Sequence, residues 1–141
     1  METSGINPIT IKAEVQAPIE KVWKFWNEPE HIKNWAFALD TWHSPHAEND
    51  LQKGGKFSTT MAAKDGSVSF DFAGVYTTVE QHQLIEYTLN DGRKVSVSFS
   101  EENGTVKISE SFQPEDVNPI EMQEAGWQAI LNNFKNYVEE K

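Results

Sequence analysis

The sequence predicts an α+β domain in which a run of antiparallel strands carries one long C-terminal helix on one face of its sheet. Three observations lead there. Runs of alternating apolar and polar residues follow one another between 56 and 112, broken by Gly-containing turn signals. A long apolar stripe at helical spacing closes the chain. Only two short helical stripes intervene, just after a first strand. Strands bunched together, followed by a helix, form the α+β pattern rather than the alternating one of parallel sheets.

The first strand spans Ile9 to Gln16. Ile9, Ile11, Ala13 and Val15 alternate with Thr10, Lys12, Glu14 and Gln16, a period of two with one polar face. Residues 1–8 read as a short loose arm and 9–141 as a single domain. Pro18 is read as the first helical position, where a missing N–H is no loss. Ile19, Val22, Trp23 and Trp26, with Phe25 beside them, make that helix's apolar stripe. Pro29 starts a second short helix with Ile32 and Trp35 on its apolar side. Residues 36–53 are the least regular, mixing Phe37, Leu39 and Trp42 with charged residues, His and Pro45. They read as a long loop that admits one short strand, and such loops often serve as lids or binding loops.

Strand runs follow at Lys56–Met61, Val68–Val79, Leu84–Leu89, Lys94–Ser100 and Thr105–Phe112. Gly54-Gly55 precedes the first, and Asp65-Gly66, Asn90-Asp91-Gly92 and Asn103-Gly104 lie between successive runs, as hairpin turns would. In the final helix Asn118 is read as the N-cap, Pro119 as the first helical position and Glu121 as the capping-box partner. Ile120, Trp127, Ile130, Leu131, Phe134 and Val138 form its stripe. From about 119 to 139 the helix would be about 30 Å long, enough to cross a sheet. Gly126 within it costs about 1 kcal/mol against Ala, and close packing of helix on sheet is the preferred reason.

The chain has 141 residues, the size of one domain. Eight Phe, five Trp and three Tyr supply core bulk and argue against disorder. Twelve Lys and Arg against 22 Asp and Glu leave a net charge of −10. That surface repels phosphate backbones and anionic lipid, so neither nucleic acid nor membrane is an expected partner. Cysteine is absent, which excludes disulfides, thiolate zinc sites and cysteine nucleophiles. The opening Met-Glu-Thr-Ser-Gly has no leader character, and no apolar stretch approaches ~20 residues, so the cytoplasm is expected. His43 and His46 are spaced H-x-x-H near Asp40, Glu48 and Asp50, but no regular frame fixes three or four ligands. No metal and no cofactor are expected. His31 is read as solvent-facing, and neither a G-x-S-x-G nor a P-loop pattern occurs.

Face parity locates the candidate site. Along Thr105–Phe112, Val106, Ile108 and Phe112 share one face, and Glu110 shares it with them. A carboxylate on an apolar face is either paired or held protonated with a raised pKa. Three outcomes stand at this point: a functional acid, a strand end bent toward water, or a buried pair with Arg93, Lys94 or Lys107. Phe70 and Phe72 share a face of their strand and either line a cavity or fill a core. Ile85, Tyr87 and Leu89 form a third apolar face, and Val95, Val97 and Phe99 a fourth. The Tyr87 hydroxyl needs a partner if buried, and Glu110 is one candidate. Trp23, Trp26 and Trp127 are read as core, while Trp35, Phe37 and Trp42 border the irregular stretch and would wall a pocket mouth.

Order and local sequence together resemble the START-like (SRPBCC, helix-grip) superfamily, whose curved sheet of about six to seven strands grips a long C-terminal helix. Ala17-Pro18-Ile19-Glu20-Lys21-Val22-Trp23 resembles the family's opening segment, and Pro29-Glu30-His31-Ile32-Lys33-Asn34-Trp35 its second. Gly54-Gly55-Lys56-Phe57, Gly74-Val75-Tyr76 and Gly126-Trp127 resemble the branch related to the activator of the heat-shock-protein-90 ATPase. The likeness covers about residues 9 to 139. It implies a cavity between sheet and helix, but one fold hosts many chemistries.

The first expectation is a protein that binds a small, largely apolar or aromatic molecule in that cavity, as a monomer or weak dimer. Phe70, Phe72, Tyr87, Val97 and Phe99 would supply sheet walls with Ile108, and Trp127 with Ile130 the helix wall. Glu110 would be the polar anchor, or a general acid or base. Trp35, Phe37 and Trp42 would form the mouth. The second expectation is a cyclase- or hydrolase-type enzyme using the same cavity. The third, implied by the resemblance, is a cochaperone-like regulator of a chaperone ATPase with a protein partner, although such relatives carry a further N-terminal domain.

Overall fold

The computed structural model describes residues 8–141; most of the arm read at residues 1–8 lies outside them. Alternation along Ile9–Val15 (β1) buries Ile9, Ile11 and Val15 and leaves Thr10 and Lys12 in solvent. The chain then forms α1 (Ile19–Asn27) and α2 (Pro29–Ile32), followed by β2 (Trp42–Asn49), β3 (Lys56–Ala63) and β4 (Ser69–Glu80). Next come β5 (Leu84–Leu89), β6 (Lys94–Glu102), β7 (Thr105–Phe112) and α3 (Ile120–Glu140). The seven strands form one antiparallel sheet in the order β1-β7-β6-β5-β4-β3-β2, curled into a half-barrel. Strands β2 to β7 are a meander, and β1 adds itself beside β7 at the far edge. The architecture is α+β and helix-grip-like, as predicted.

Ladder register sets what faces inward. Ile11, Glu110, Val97 and Ile85 stand opposite one another across β1, β7, β6 and β5. Leu131, Phe134 and Val138 of α3 close over this inner face, and α3 approaches the sheet most closely along β1. At the other end of the core, α1 buries Ile19, Val22 and Trp23. No helix among the described residues is long and apolar enough to cross a membrane.

The structure corrects several local expectations. The stretch 36–53 contains an eight-residue strand, β2, hidden in the sequence by its polar composition and by Pro45. It is an edge strand with a register shift between His43 and His46, and proline is tolerated at such an edge irregularity because no ladder bond is lost. Pro18 and Pro119 are N-caps in extended conformation rather than first helical residues. Each offers its carbonyl to the first turn, as in the 3.1 Å bond from the Val22 N–H to the Pro18 oxygen. The Asn118–Glu121 capping box does not form: among the described residues no side-chain hydrogen bond caps α3.

Along β4 the alternation breaks at a register shift between Tyr76 and Thr78, so Thr77 is exposed and Val79 turns toward the core. Upstream, a Cβ at Gly74 would lie 2.4 Å from the Thr88 carbonyl oxygen, so only glycine lets β4 and β5 pair there. Gly126 is the opposite case. A Cβ there would meet nothing within 4 Å, so close helix–sheet packing is not its reason. His31 is not solvent-facing: its ring stacks on Phe25 at 3.9 Å, and its Nδ1 lies 2.7 Å from the Tyr137 hydroxyl.

Candidate functional site

The strict alternation of β7 turns Val106, Ile108, Glu110 and Phe112 inward as one row. Glu110 is therefore carried into the interior by its neighbours' need for burial, and it is only 6% exposed. Among the described residues no hydrogen bond or ion pair reaches its carboxyl. Arg93, one expected partner, instead holds Asp91 through a 2.8 Å bond from Nε to Oδ2. Lys94 and Lys107 are exposed. Burial alone pushes the Glu110 pKa up, from 4.5 to about 8.

Glu110 opens onto a cavity of about 340 Å³ between the inner sheet face and the helices. This is near the small end of the range for ligand pockets. Strand β3 contributes Phe57, Thr59 and Met61; β4 contributes Phe70, Phe72 and Tyr76; β5 contributes Ile85 and Tyr87. Helix α3 covers it with Trp127, Ile130 and Leu131. Trp26, Ile32, Trp35 and Ala36 line it from α1, α2 and the turn after them. Arg93, Glu115, Asn118 and Gln123 add polar groups from the β5–β6 turn, the β7–α3 loop and the start of α3.

Aromatic contacts fix these walls. Trp127 stacks on Phe112 with centroids 3.9 Å apart and meets the Phe72 ring edgewise at 5.6 Å. Trp26, Trp35 and Phe134 pack together at 4.8 to 5.1 Å. The Trp35 indole N–H donates to the Phe25 carbonyl at 3.0 Å, so its ring is held in place. Burial raises the Tyr87 pKa well above the ordinary phenol value; the Glu110 charge adds to this and Arg93 opposes it. Tyr76 is likewise raised by burial, and its hydroxyl donates to Asn49 Oδ1. Both phenols are neutral near pH 7.

Of the residues expected at the site, Trp35, Phe70, Phe72, Tyr87, Glu110, Trp127 and Ile130 meet on this cavity. Phe70 is half exposed and forms part of the rim, with Trp42 packed outside it at 6.0 Å. Trp42 and Phe37 do not line the cavity; the Phe37 carbonyl accepts a bond from Asn133 Nδ2. Val97, Phe99 and Ile108 also lie off it, because helices cover that end of the sheet. Phe99 is filled against Trp23 and Trp26. Trp26, read only as core, is a cavity wall as well.

Gln123 was not singled out from the sequence. It is buried, and it ties the loop to α3: its Nε2 donates to the Glu115 and Asn118 carbonyls at 3.0 and 2.8 Å, and its Oε1 accepts the Glu115 N–H at 2.8 Å. The available signal was a polar residue in helical step with Trp127 and Ile130. Thr59 was also missed; it is buried, and no hydrogen bond of its hydroxyl is formed among the described residues. Those residues hold no group of three or more His, Cys, Asp or Glu suited to a metal ion. His46 only meets Glu48, at 3.1 Å on the surface.

Residues 16–139 match the model of the family described as Activator of Hsp90 ATPase homolog 1-like protein. No curated protein matches the chain significantly. Among solved structures, a Cytophaga hutchinsonii protein is 59% identical, with 95% of this chain and 93% of that one covered and a TM-score of 0.82. An AHSA1-like protein from Aeromonas hydrophila is 42% identical over 94% of this chain and 93% of its own, with a TM-score of 0.86. A Chromobacterium violaceum protein reaches 0.85 at 21% identity, covering 94% and 98% of the two chains, which is a likeness of fold alone.

Proposed function

The chain belongs to the Activator of Hsp90 ATPase homolog 1-like protein family, and from that premise we propose that it binds a small, largely apolar, ring-bearing molecule between its sheet and α3. The observation that carries this reading is an aromatic-walled cavity containing a buried carboxyl with no protein partner among the described residues. Leaving a buried polar group unsatisfied costs about 1–3 kcal/mol, and more for a charged one. A fold that keeps such a group beside open space gains stability when a ligand satisfies it. Glu110 at about pKa 8 would also suit proton transfer, so an acid–base enzyme is a variant of the same reading.

Native mass spectrometry of the protein purified from its own host tests the proposal. A retained small molecule, released on denaturation and lost on Trp127→Ala substitution, is expected. A clean apo mass, with no change in Trp fluorescence across an aromatic library, would count against it. A second reading, regulation of a chaperone ATPase, draws on the family description and on a net charge of −10 that suits a basic partner surface. Salt-sensitive co-purification of a chaperone would favour it.

A further inference from the structure

Resting on the binding reading above, we infer that the ligand is a small aromatic amine, its ammonium held by the Glu110 carboxylate and its ring by the cavity's aromatic walls. Four observations converge. Glu110 is buried, opens into the cavity and has no countercharge among the described residues. The walls present Trp26, Trp35, Phe72, Tyr76, Tyr87 and Trp127, whose ring faces attract cations. Among the described residues the one basic side chain on the lining, Arg93, is engaged by Asp91. Finally, a net charge of −10 draws cations in and repels anions.

The groups around Glu110 support a cation. Strands β1 and β6 place Ile11 and Val97 beside it, and α3 brings Trp127, Ile130 and Leu131 over the cavity, none of them titratable. Tyr87 from β5 and Tyr76 from β4 are neutral phenols. Helix α1 and the turn after α2 add Trp26 and Trp35. Among the described residues only Arg93 and Glu115, of opposite sign, carry charge elsewhere on the lining. An alcohol would give the carboxyl one hydrogen bond. An ammonium uses the carboxylate, the ring faces and the acidic field together.

Proton balance makes the two distinguishable. Near pH 7 an alkylamine is already an ammonium, since its pKa is about 10. Glu110 is largely protonated there and must lose its proton to pair. Binding therefore releases up to one proton to solvent, and affinity rises with pH until about 8.

The test is isothermal titration of phenethylamine and of its neutral counterpart 2-phenylethanol, from pH 6 to 9, in buffers of different ionisation heat. Phenethylamine should bind roughly tenfold tighter or more at pH 8, the value of one charged hydrogen bond. Its binding should release a proton, and Glu110→Gln should bring the two probes to near parity. Equal binding without proton release would overturn the amine inference while leaving the cavity reading intact. So would tighter 2-phenylethanol binding that weakens above pH 8, since Glu110 would then be donating to a neutral ligand. Failure of both probes, with the protein folded by circular dichroism, would overturn both readings.

Discussion

Replacing Glu110 by Gln should make the ligand-free protein more stable, by about 3 kcal/mol at pH 7, or roughly 10 °C in melting temperature. The cause is a proton. In the unfolded chain the carboxyl ionises at about 4.5, and in the folded protein at about 8. Between those values the native state holds a proton that the unfolded state has released. Stability contributed by this group is therefore full below pH 4.5 and lost as pH rises, by about 1.4 kcal/mol per unit, until it levels off above about 8. Glutamine keeps the shape and has no such dependence. Asp91 and Glu139 have lowered pKa values and act in the opposite direction, but they cancel when the variant is subtracted from the parent. Thermal melts from pH 5 to 9 check the result. A constant difference across that range would show that Glu110 is already ionised in the fold.

Trp127→Ala should cost about 3 kcal/mol, the lower end for truncating a large aromatic side chain because Trp127 is only partly buried. The backbone of α3 comes closest to the sheet along β1, so its first half spans open space. Trp127 bridges that space, lying flat on Phe112 of β7 and edge-on to Phe72 of β4. Alanine removes both contacts and leaves Gln123, Ile130 and Leu131 as the α3 residues on the cavity lining. Ile120→Ala is the control: that side chain is 42% exposed, and its loss should cost under about 0.5 kcal/mol. Urea denaturation measures both. A Trp127→Ala cost below about 1 kcal/mol would mean that the helix is held without it.

Most of the fold was written in periodicity. Strands β5 and β7 were legible to the residue, because their apolar alternation runs from end to end, broken in β7 by Glu110 alone, and a glycine turn bounds each at one end. Strand β2 was not, since an edge strand with one wet face does not need an apolar pattern. Glu110 was legible because one carboxylate interrupted an apolar face. The outline of the cavity was not. Parity says that Val97, Phe99 and Ile108 point inward, and they do. Which inward residues meet a helix and which meet open space depends on the path of α3, and no strand encodes that. The same gap explains Trp26, whose helical spacing reads as core although it lines the cavity. Gly126 shows it again, for its missing side chain faces room rather than a tight contact.

Occupancy of the space between sheet and α3 is reported directly by the five indole N–H signals of a ¹⁵N-labelled sample. Trp26, Trp35 and Trp127 line the cavity, Trp42 packs outside its rim and Trp23 lies in the core against Phe99 and His82. With an aromatic fragment set, at least one compound should shift Trp26, Trp35 and Trp127 in a saturable manner and leave Trp23 in place. A set that moves none of those three, or moves only Trp42, would contradict ligand binding in that space.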